Sequence, residues 1–240
     1  LEWIANLAIF LKDYLAPDGS IVIELGNAWN SGIPTHSTLP MEALLEFKRR
    51  GNFHLCQEFI YFNPAKLPAP IEWVNKKRVR VKDSFTRIWW LSSTPNPKAN
   101  NRNVLEEYSL QMKKLIKSGK YNAGKRPSEY DIGEESFLSD NGGAIPSNVI
   151  IASNTTSKDK YIKYCKENMF EVHPARMAKE IPQFFIKLLT DENDLVLDPF
   201  AGSNTTGYVA EILKRKWLSI EVNQDYVRSS VGRFDAVKIL

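Results

Sequence analysis

The stretch Asp198-Pro199-Phe200-Ala201-Gly202-Ser203-Asn204-Thr205-Thr206-Gly207 gathers one carboxylate, several hydroxyls and two glycines into a single turn. Such a set holds a small ligand through hydrogen bonds. The acid suits a cationic or hydroxylated group, and glycine lets that group approach bare backbone. A phosphate fits poorly. A P-loop places Lys after its second Gly, whereas Tyr208 follows Gly207, and the spacing G-x-G-x-x-G does not occur. A second acid, Glu221, ends the run Trp217-Leu218-Ser219-Ile220. An acid about 20 residues beyond the first turn, at the tip of the next strand, is placed to take both hydroxyls of a ribose. Either acid alone is equally well an incidental strand end; the ordered pair with the turn between them points to a nucleoside.

The flanking residues predict the elements that position this pair. Leu195-Val196-Leu197 reads as a buried strand ending at Asp198. A helix with Val209, Ala210 and Leu213 at helical spacing follows the turn, and its first amides lack intrahelical partners. Upstream, Ile181, Phe184, Phe185, Leu188 and Leu189 form the apolar stripe of another helix, and residues 161–168 a shorter one. Trp217 is expected to pack.

The amino-terminal part reads as a helix over 1–15, a turn at Pro17-Asp18-Gly19, and a strand over Ile21–Leu25. A helix from Met41 to Arg50 is expected to end on Gly51, and strands are expected over Leu55–Phe62 and Ser84–Leu91. Prolines 68 and 70 predict an extended connection between those two strands. Residues 95–154 are polar, with one predicted helix, Val104 to Lys117, and a tight turn at Asn141-Gly142-Gly143. The expected organisation is a core segment at 1–94, a surface module at 95–160, and a second core segment at 161–240.

Charge is distributed unevenly. Residues 76–126 carry fourteen Lys and Arg against Asp83, Glu106 and Glu107, a local net charge of +11 within a formal total of +4, so the rest of the chain stands at −7. A one-sided basic middle is a polyanion-binding surface more readily than a solvated helix face, which mixes signs. Lys76, Arg78, Arg80 and Lys82 form its first cluster; Lys98, Asn101 and Arg102 mix basic and amide groups suited to phosphates and base edges, or form a solvated turn. Lys113 and Arg126 complete the candidate nucleic-acid contacts. No apolar run approaches the ~18 residues of a membrane span, and no signal-peptide pattern is visible. Cys56 and Cys165 lack metal-site spacing, so no metal is expected. Cys56 reads as a buried thiol, and a reducing, cytoplasmic setting is expected.

The turn at 198–207, preceded by His173-Pro174-Ala175-Arg176-Met177, resembles the S-adenosylmethionine motifs of the amino-group DNA methyltransferases, and their placement near the carboxyl end resembles the permuted β group. Pro68–Trp73, Arg78–Asp83, Asp140–Pro146 and the whole 173–207 block are similar to N4-cytosine members of that group, and the likeness spans nearly the whole chain. Asn204 departs from the Gly usual there, and Asn tolerates the left-handed backbone. The resemblance implies a Rossmann-like α/β methyltransferase sheet in permuted order, with a small target-recognition module. It implies S-adenosylmethionine as cofactor, held by Asp198, Pro199, Phe200, Ala201, Gly202, Ser203, Thr205, Thr206 and Glu221. It also places His173 and Pro174 at the methionine end, Phe200 beside the adenosine or the transfer site, and Asn141 with its tight turn in the DNA-facing target region.

Methyl transfer to an exocyclic amine needs nitrogen, methyl and sulfur in line, acceptors for the amino hydrogens, and a base drawn out of the duplex. In the resembled family a Ser-Pro-Pro-Tyr/Phe or Asp-Pro-Pro-Tyr motif supplies those acceptors, and this sequence contains neither. The expectation is that the motif precedes Leu1, on a strand between Ile21–Leu25 and Leu195–Asp198, carried by a lost amino-terminal segment or a second chain. Without it those two strands should not pair. The function implied is N4-cytosine methylation of duplex DNA in a restriction–modification system. An N6-adenine methyltransferase and a non-catalytic DNA-binding subunit are the alternatives.

Overall fold

Alternation of apolar and polar residues makes the first sheet two-faced. The computed structural model describes residues 1–120, 124–125, 127–128, 131–133, 138–154 and 159–235. Strands β1 (Ser20–Leu25), β2 (His54–Phe62), β3 (Phe85–Ser92) and β6 (Val149–Ile151) form a sheet in the order β1-β3-β2-β6. Its first two pairings are antiparallel, and β6 joins β2 in parallel. Ile21, Ile23 and Leu25 point to one face, where helices α1 (Glu2–Tyr14) and α2 (Leu39–Gly51) cover them through Ala8 and Phe47, with Trp89, Leu91 and Phe53 completing the cluster. Each such side chain contributes about 1.5–3 kcal/mol on burial. The opposite face carries Phe59, whose ring meets Phe184 and Phe185 of α5 (Glu180–Leu189) edge-on, with centroids 5.7 and 5.0 Å away.

Strands β7 (Leu195–Asp198) and β8 (Lys216–Ser219) form a separate parallel pair, linked through α6 (Thr205–Ile212). Val196 and Trp217 pack against Ile186, Val209 and Ala210 on the helix side, so Trp217 packs as expected. Leu195, Leu197 and Leu218 face the other way and are exposed. Among the described residues β1 pairs only with β3 and β7 only with β8, so the two sheets share no ladder, as the sequence led one to expect. Helices α4 (Lys160–Glu167) and α7 (Gln224–Ser230) and a 3₁₀ turn, Val231–Arg233, complete this unit, which comprises Leu1–Ala99 and Asn148–Leu240.

Residues Asn100–Ser147 form a second unit. It holds a 3₁₀ turn at Asn101–Val104, helix α3 (Leu110–Ser118), the short pair β4 (Gly124–Lys125) and β5 (Asp131–Ile132), and a bridge between Glu106 and Ala144.

Several local expectations need correction. The helix expected over Val104–Lys117 begins only at Leu110, because the Ser109 hydroxyl accepts the amide of Met112 and caps it there. Gly51 is the last helical residue; Asn52 takes the left-handed cap at φ 52°. Gly51 serves instead to admit the Phe53 ring, whose Cε2 would lie 2.1 Å from an added Cβ. The connection after Pro70 contains a short π-helical turn, Glu72–Lys76, that proline spacing did not announce. Cys56 sits at a register shift in β2 and is half-buried rather than buried.

Candidate functional site

The parallel register places Asp198 beside Ser219, so the two acid-tipped strands end together. The chain crosses between them twice: the Ile220 amide donates to the Asp198 carbonyl at 2.8 Å, and the Ala201 amide to the Ile220 carbonyl at 2.9 Å. Asp198 Oδ1 accepts the Phe200 amide at 3.0 Å, fixing the carboxylate at the start of the turn. Glu221 is oriented from both sides. Its Oε2 accepts from the Gly202 amide at 2.8 Å and its Oε1 from the Asn223 amide at 2.9 Å.

Gly202 cannot be replaced cheaply. Its φ is +52°, and an added Cβ would lie 3.0 Å from His173 Nε2. The turn therefore closes on the His173 ring, and that imidazole forms the facing wall. His173 Nδ1 accepts the Ala175 amide at 3.2 Å, and its ring packs edge-on against Tyr226 with centroids 4.4 Å apart. A ring nitrogen that accepts leaves Nε2 as the protonated one in the neutral imidazole.

Asn204 takes the left-handed conformation at φ 55°, so the turn survives the exchange of Gly for Asn. Its side chain also caps α6: Oδ1 accepts the Gly207 amide at 3.1 Å and the Ser219 hydroxyl at 2.8 Å. Ser203 and Thr205 are buried, with their hydroxyls 3.4 Å apart.

These residues line one cleft of about 470 Å³, counted to its open mouth: Asp198, Phe200, Ala201, Gly202, Ser203, Thr205, Thr206, Glu221 and His173 all face it. Pro174 and Pro199 lie within the same two segments without lining it. Ala175 and Met177 do line it and were not singled out from the sequence, although Met177 belongs to the His-Pro-Ala-Arg-Met run that pointed to this wall. Among the described residues, two carboxylates line the cleft and no Lys or Arg does. That favours a ligand rich in hydroxyl and amino donors over a polyphosphate. Phe200, exposed at the mouth, meets Trp3 of α1 with centroids 5.7 Å apart.

The basic residues fall into two groups. In the larger unit, Lys76 and Lys77 pair with Glu72, and Arg80 pairs with Asp83 at 3.1 Å. Among the described residues, Arg80 Nη1 is buried with no hydrogen-bond partner. The Lys82 ammonium donates to the Pro64 and Lys66 carbonyls, and Arg78 holds a left-handed backbone at φ 55°. Lys98 bridges Asp191 and Asp194, each at 2.7 Å, and both aspartates hold its pKa well above the ordinary lysine range. In the second unit, Asn101 and Arg102 are exposed on the 3₁₀ turn, and Lys113 contacts Glu107. Asn141 donates its amide to the Tyr108 hydroxyl at 2.8 Å, and the Gly142 amide reaches Asp140 at 2.9 Å, which forms the tight turn. Arg126 lies outside the described residues. Among the described residues no cluster of His, Cys, Asp and Glu converges as a metal site, and no helix is long and apolar enough to cross a membrane.

Comparisons with known proteins place the chain among DNA methyltransferases. The Type II methyltransferase M.PvuII of Proteus hauseri is 44% identical over 236 residues, which is 98% of this chain and 70% of that protein. The solved structure of PvuII DNA methyltransferase (cytosine-N4-specific) superposes with a TM-score of 0.79 at 36% identity, covering 100% of this chain and 72% of that one. The DNA adenine methyltransferase YhdJ of Escherichia coli (strain K12) is 39% identical over 66 residues, 28% of this chain and 22% of its own. The structure of an M1.HpyAVI–SAM complex shares the fold at a TM-score of 0.55 and 19% identity, over 98% of this chain and 81% of that one. A family model described as DNA methylase matches residues 1–232, and with an acid-paired cleft built on its two parallel strand ends, the chain belongs to that family.

Proposed function

We propose that this protein takes part in transferring a methyl group from S-adenosylmethionine to cytosine N4 in duplex DNA, as the modification half of a restriction–modification system acting in the cytoplasm. The observation that carries the cofactor assignment is the cleft wall: two strand-end carboxylates, a bare glycine, and no basic side chain. Glu221, with its carboxylate oriented by the Gly202 and Asn223 amides, takes the ribose hydroxyls. Asp198 and the Ser203, Thr205 and Thr206 hydroxyls surround the amino-acid end, where the first turn of α6 offers amides to its carboxylate. When bound, S-adenosylmethionine supplies a sulfonium-activated methyl group. What the chain contributes is placement: the His173 wall and the Gly202 turn fix where that methyl can point, and in-line alignment is worth several powers of ten in rate.

The acceptors that localise the amine lone pair come from a segment seated between β1 and β7. Three observations support this. Among the described residues both strands keep a free ladder edge, Val22 of β1 and Leu195 and Leu197 of β7 are exposed on their strands, and the Pro-Pro motif of the resembled family occurs nowhere in the sequence. That segment is either an amino-terminal extension or a second polypeptide. Recognition of duplex DNA falls to the 95–160 stretch and the basic loop at 76–82. Arg102, Lys113, Asn101 and Arg126 lead there, together with Lys76, Arg78 and Lys82; Arg80, Lys98 and Asn141 act by holding local structure.

Cytosine N4 is preferred over adenine N6 because the likeness to the cytosine-N4-specific enzyme spans nearly all of this chain, whereas that to YhdJ spans about a quarter. The test is a transfer assay with isotopically labelled S-adenosylmethionine and plasmid DNA, using the chain joined to the upstream segment of its reading frame. Nucleoside digestion and mass spectrometry should return N4-methyldeoxycytidine. N6-methyldeoxyadenosine would establish the adenine reading, and cofactor uptake without any product would reduce the protein to a binding subunit.

A further inference from the structure

Behind the cleft, outside its lining, a guanidinium is buried. Arg233, on the 3₁₀ turn that follows α7, is only 8% exposed. Its Nε donates to the Ser203 carbonyl and its Nη2 to the Ser203 hydroxyl at 3.0 Å. Its carbon Cζ lies 4.6 Å from the ring centroid of Tyr161, which is fully buried on α4. The Tyr161 hydroxyl in turn accepts the backbone amide of His173 at 3.0 Å and sits 3.4 Å from the Ser229 hydroxyl. Asp159, the N-cap of α4, places its carboxylate 3.8 Å from Arg233 and 3.5 Å from Arg176.

These contacts join the two walls of the cleft from behind. One wall is the His173–Met177 segment, hung on Tyr161 through the His173 amide and on Asp159 through Arg176. The other is the Gly202–Thr206 turn, hung on Arg233 through Ser203. A buried guanidinium is costly unless its donors are used, and here two go to one residue of the ligand-binding turn. Burial pulls the Arg233 pKa below its ordinary value, while Asp159 and Tyr161 act against that shift.

We propose that Arg233 and Tyr161 are positioning residues that set the width of the S-adenosylmethionine cleft, with Arg233 holding the Ser203 carbonyl away from the ligand so that the Gly202 amide stays on Glu221. The proposal rests on the cofactor assignment made above. Neither residue touches the cleft, so their removal should act on cofactor affinity through the walls alone.

The experiment is calorimetric titration of S-adenosylmethionine into the full chain and into Arg233→Met, Arg233→Lys and Tyr161→Phe. Phe47→Leu, in the α1/α2 core, serves as a destabilised control. Expected is a Kd raised at least tenfold by Arg233→Met, about half recovered on a logarithmic scale by Arg233→Lys, and unchanged by Phe47→Leu at an equal loss of Tm. Should Arg233→Met fail to fold, Arg233→Lys and Tyr161→Phe are read alone, each expected to raise Kd severalfold. Kd values within twofold of the parent in the folded variants would overturn the proposal while leaving the cofactor site standing. No uptake by the unaltered chain would overturn both. Equal weakening by Phe47→Leu would also overturn it, since the effect would then be general destabilisation.

Discussion

The amide of Gly202 donates to the carboxylate of Glu221 across 2.8 Å, so the acid that ends one strand is oriented by the turn that begins at the other. Neither strand end makes the site alone, because the carboxylate angle depends on the backbone of the adjacent loop. Glu221→Gln keeps an acceptor for that amide but replaces one oxygen with a donor. A lost hydrogen bond to a charged group is worth about 1.5–3 kcal/mol, so S-adenosylmethionine affinity should fall about 10- to 100-fold. Titration calorimetry decides it, and an unchanged Kd would remove Glu221 from the site.

Gly202→Ala should damage the same geometry from the backbone side. A left-handed alanine costs about 1–2 kcal/mol, and its methyl would press on the His173 ring. Tm should drop by about 2–8 °C at the usual scaling for a chain of this size. Adding His173→Ala should return part of that loss. If it returns none, the penalty is purely conformational and the two walls do not touch.

Lys98 and Arg102 should separate in their effects on DNA. Lys98 is held by Asp191 and Asp194, so Lys98→Ala should lower Tm and leave duplex affinity nearly unchanged. Arg102→Ala should weaken binding to every duplex alike and reduce the salt slope by about 0.9 for each phosphate it no longer neutralises. Fluorescence anisotropy across a salt series distinguishes the two, and the reverse pattern would move the interface to the Lys98 side.

Glu24 predicts a pH effect on stability. Burial raises its carboxyl above the ordinary 4.5, opposed by the hydrogen bond from Thr86 and the charge of Lys66. In the window between 4.5 and the raised value the folded protein binds a proton that the unfolded chain has released. Stability contributed by Glu24 is therefore full below that window and lost as pH rises through it. Glu24→Gln, which keeps an acceptor for Thr86, should be more stable than the parent at about pH 8, with the difference vanishing near about pH 4. Thermal melts across that range test it; a constant offset would mean the carboxyl is not desolvated.

Much of the candidate cleft is legible in the sequence because it is local there. Asp198 to Thr206 is one turn, its flanking strand and helix are marked by apolar spacing, and Glu221 follows at the interval set by a strand–helix–strand unit. The left-handed Asn204 was legible from its residue type. What escaped detection depends on long-range contacts. Nothing near Arg233 marks it as a partner of Ser203, and nothing near Lys98 announces Asp191 and Asp194; an isolated base in a basic stretch looks the same whether it meets phosphate or a neighbouring carboxylate. The start of α3 is not legible because Val104 and Leu105 continue the apolar period, while one hydroxyl, Ser109, sets the helix boundary.

Because β7–β8 and the four-stranded sheet share no backbone ladder among the described residues, aromatic rings on α5 help to hold them together: Phe184 and Phe185 against Phe59. Ring packing has no fixed donor–acceptor register, so a relative shift of the two sheets would strain the Lys98 pairs with Asp191 and Asp194 rather than any strand-to-strand hydrogen bond. The joint therefore lacks the cooperativity of a continuous ladder, and amides on either side of it should exchange with solvent as two populations with different protection.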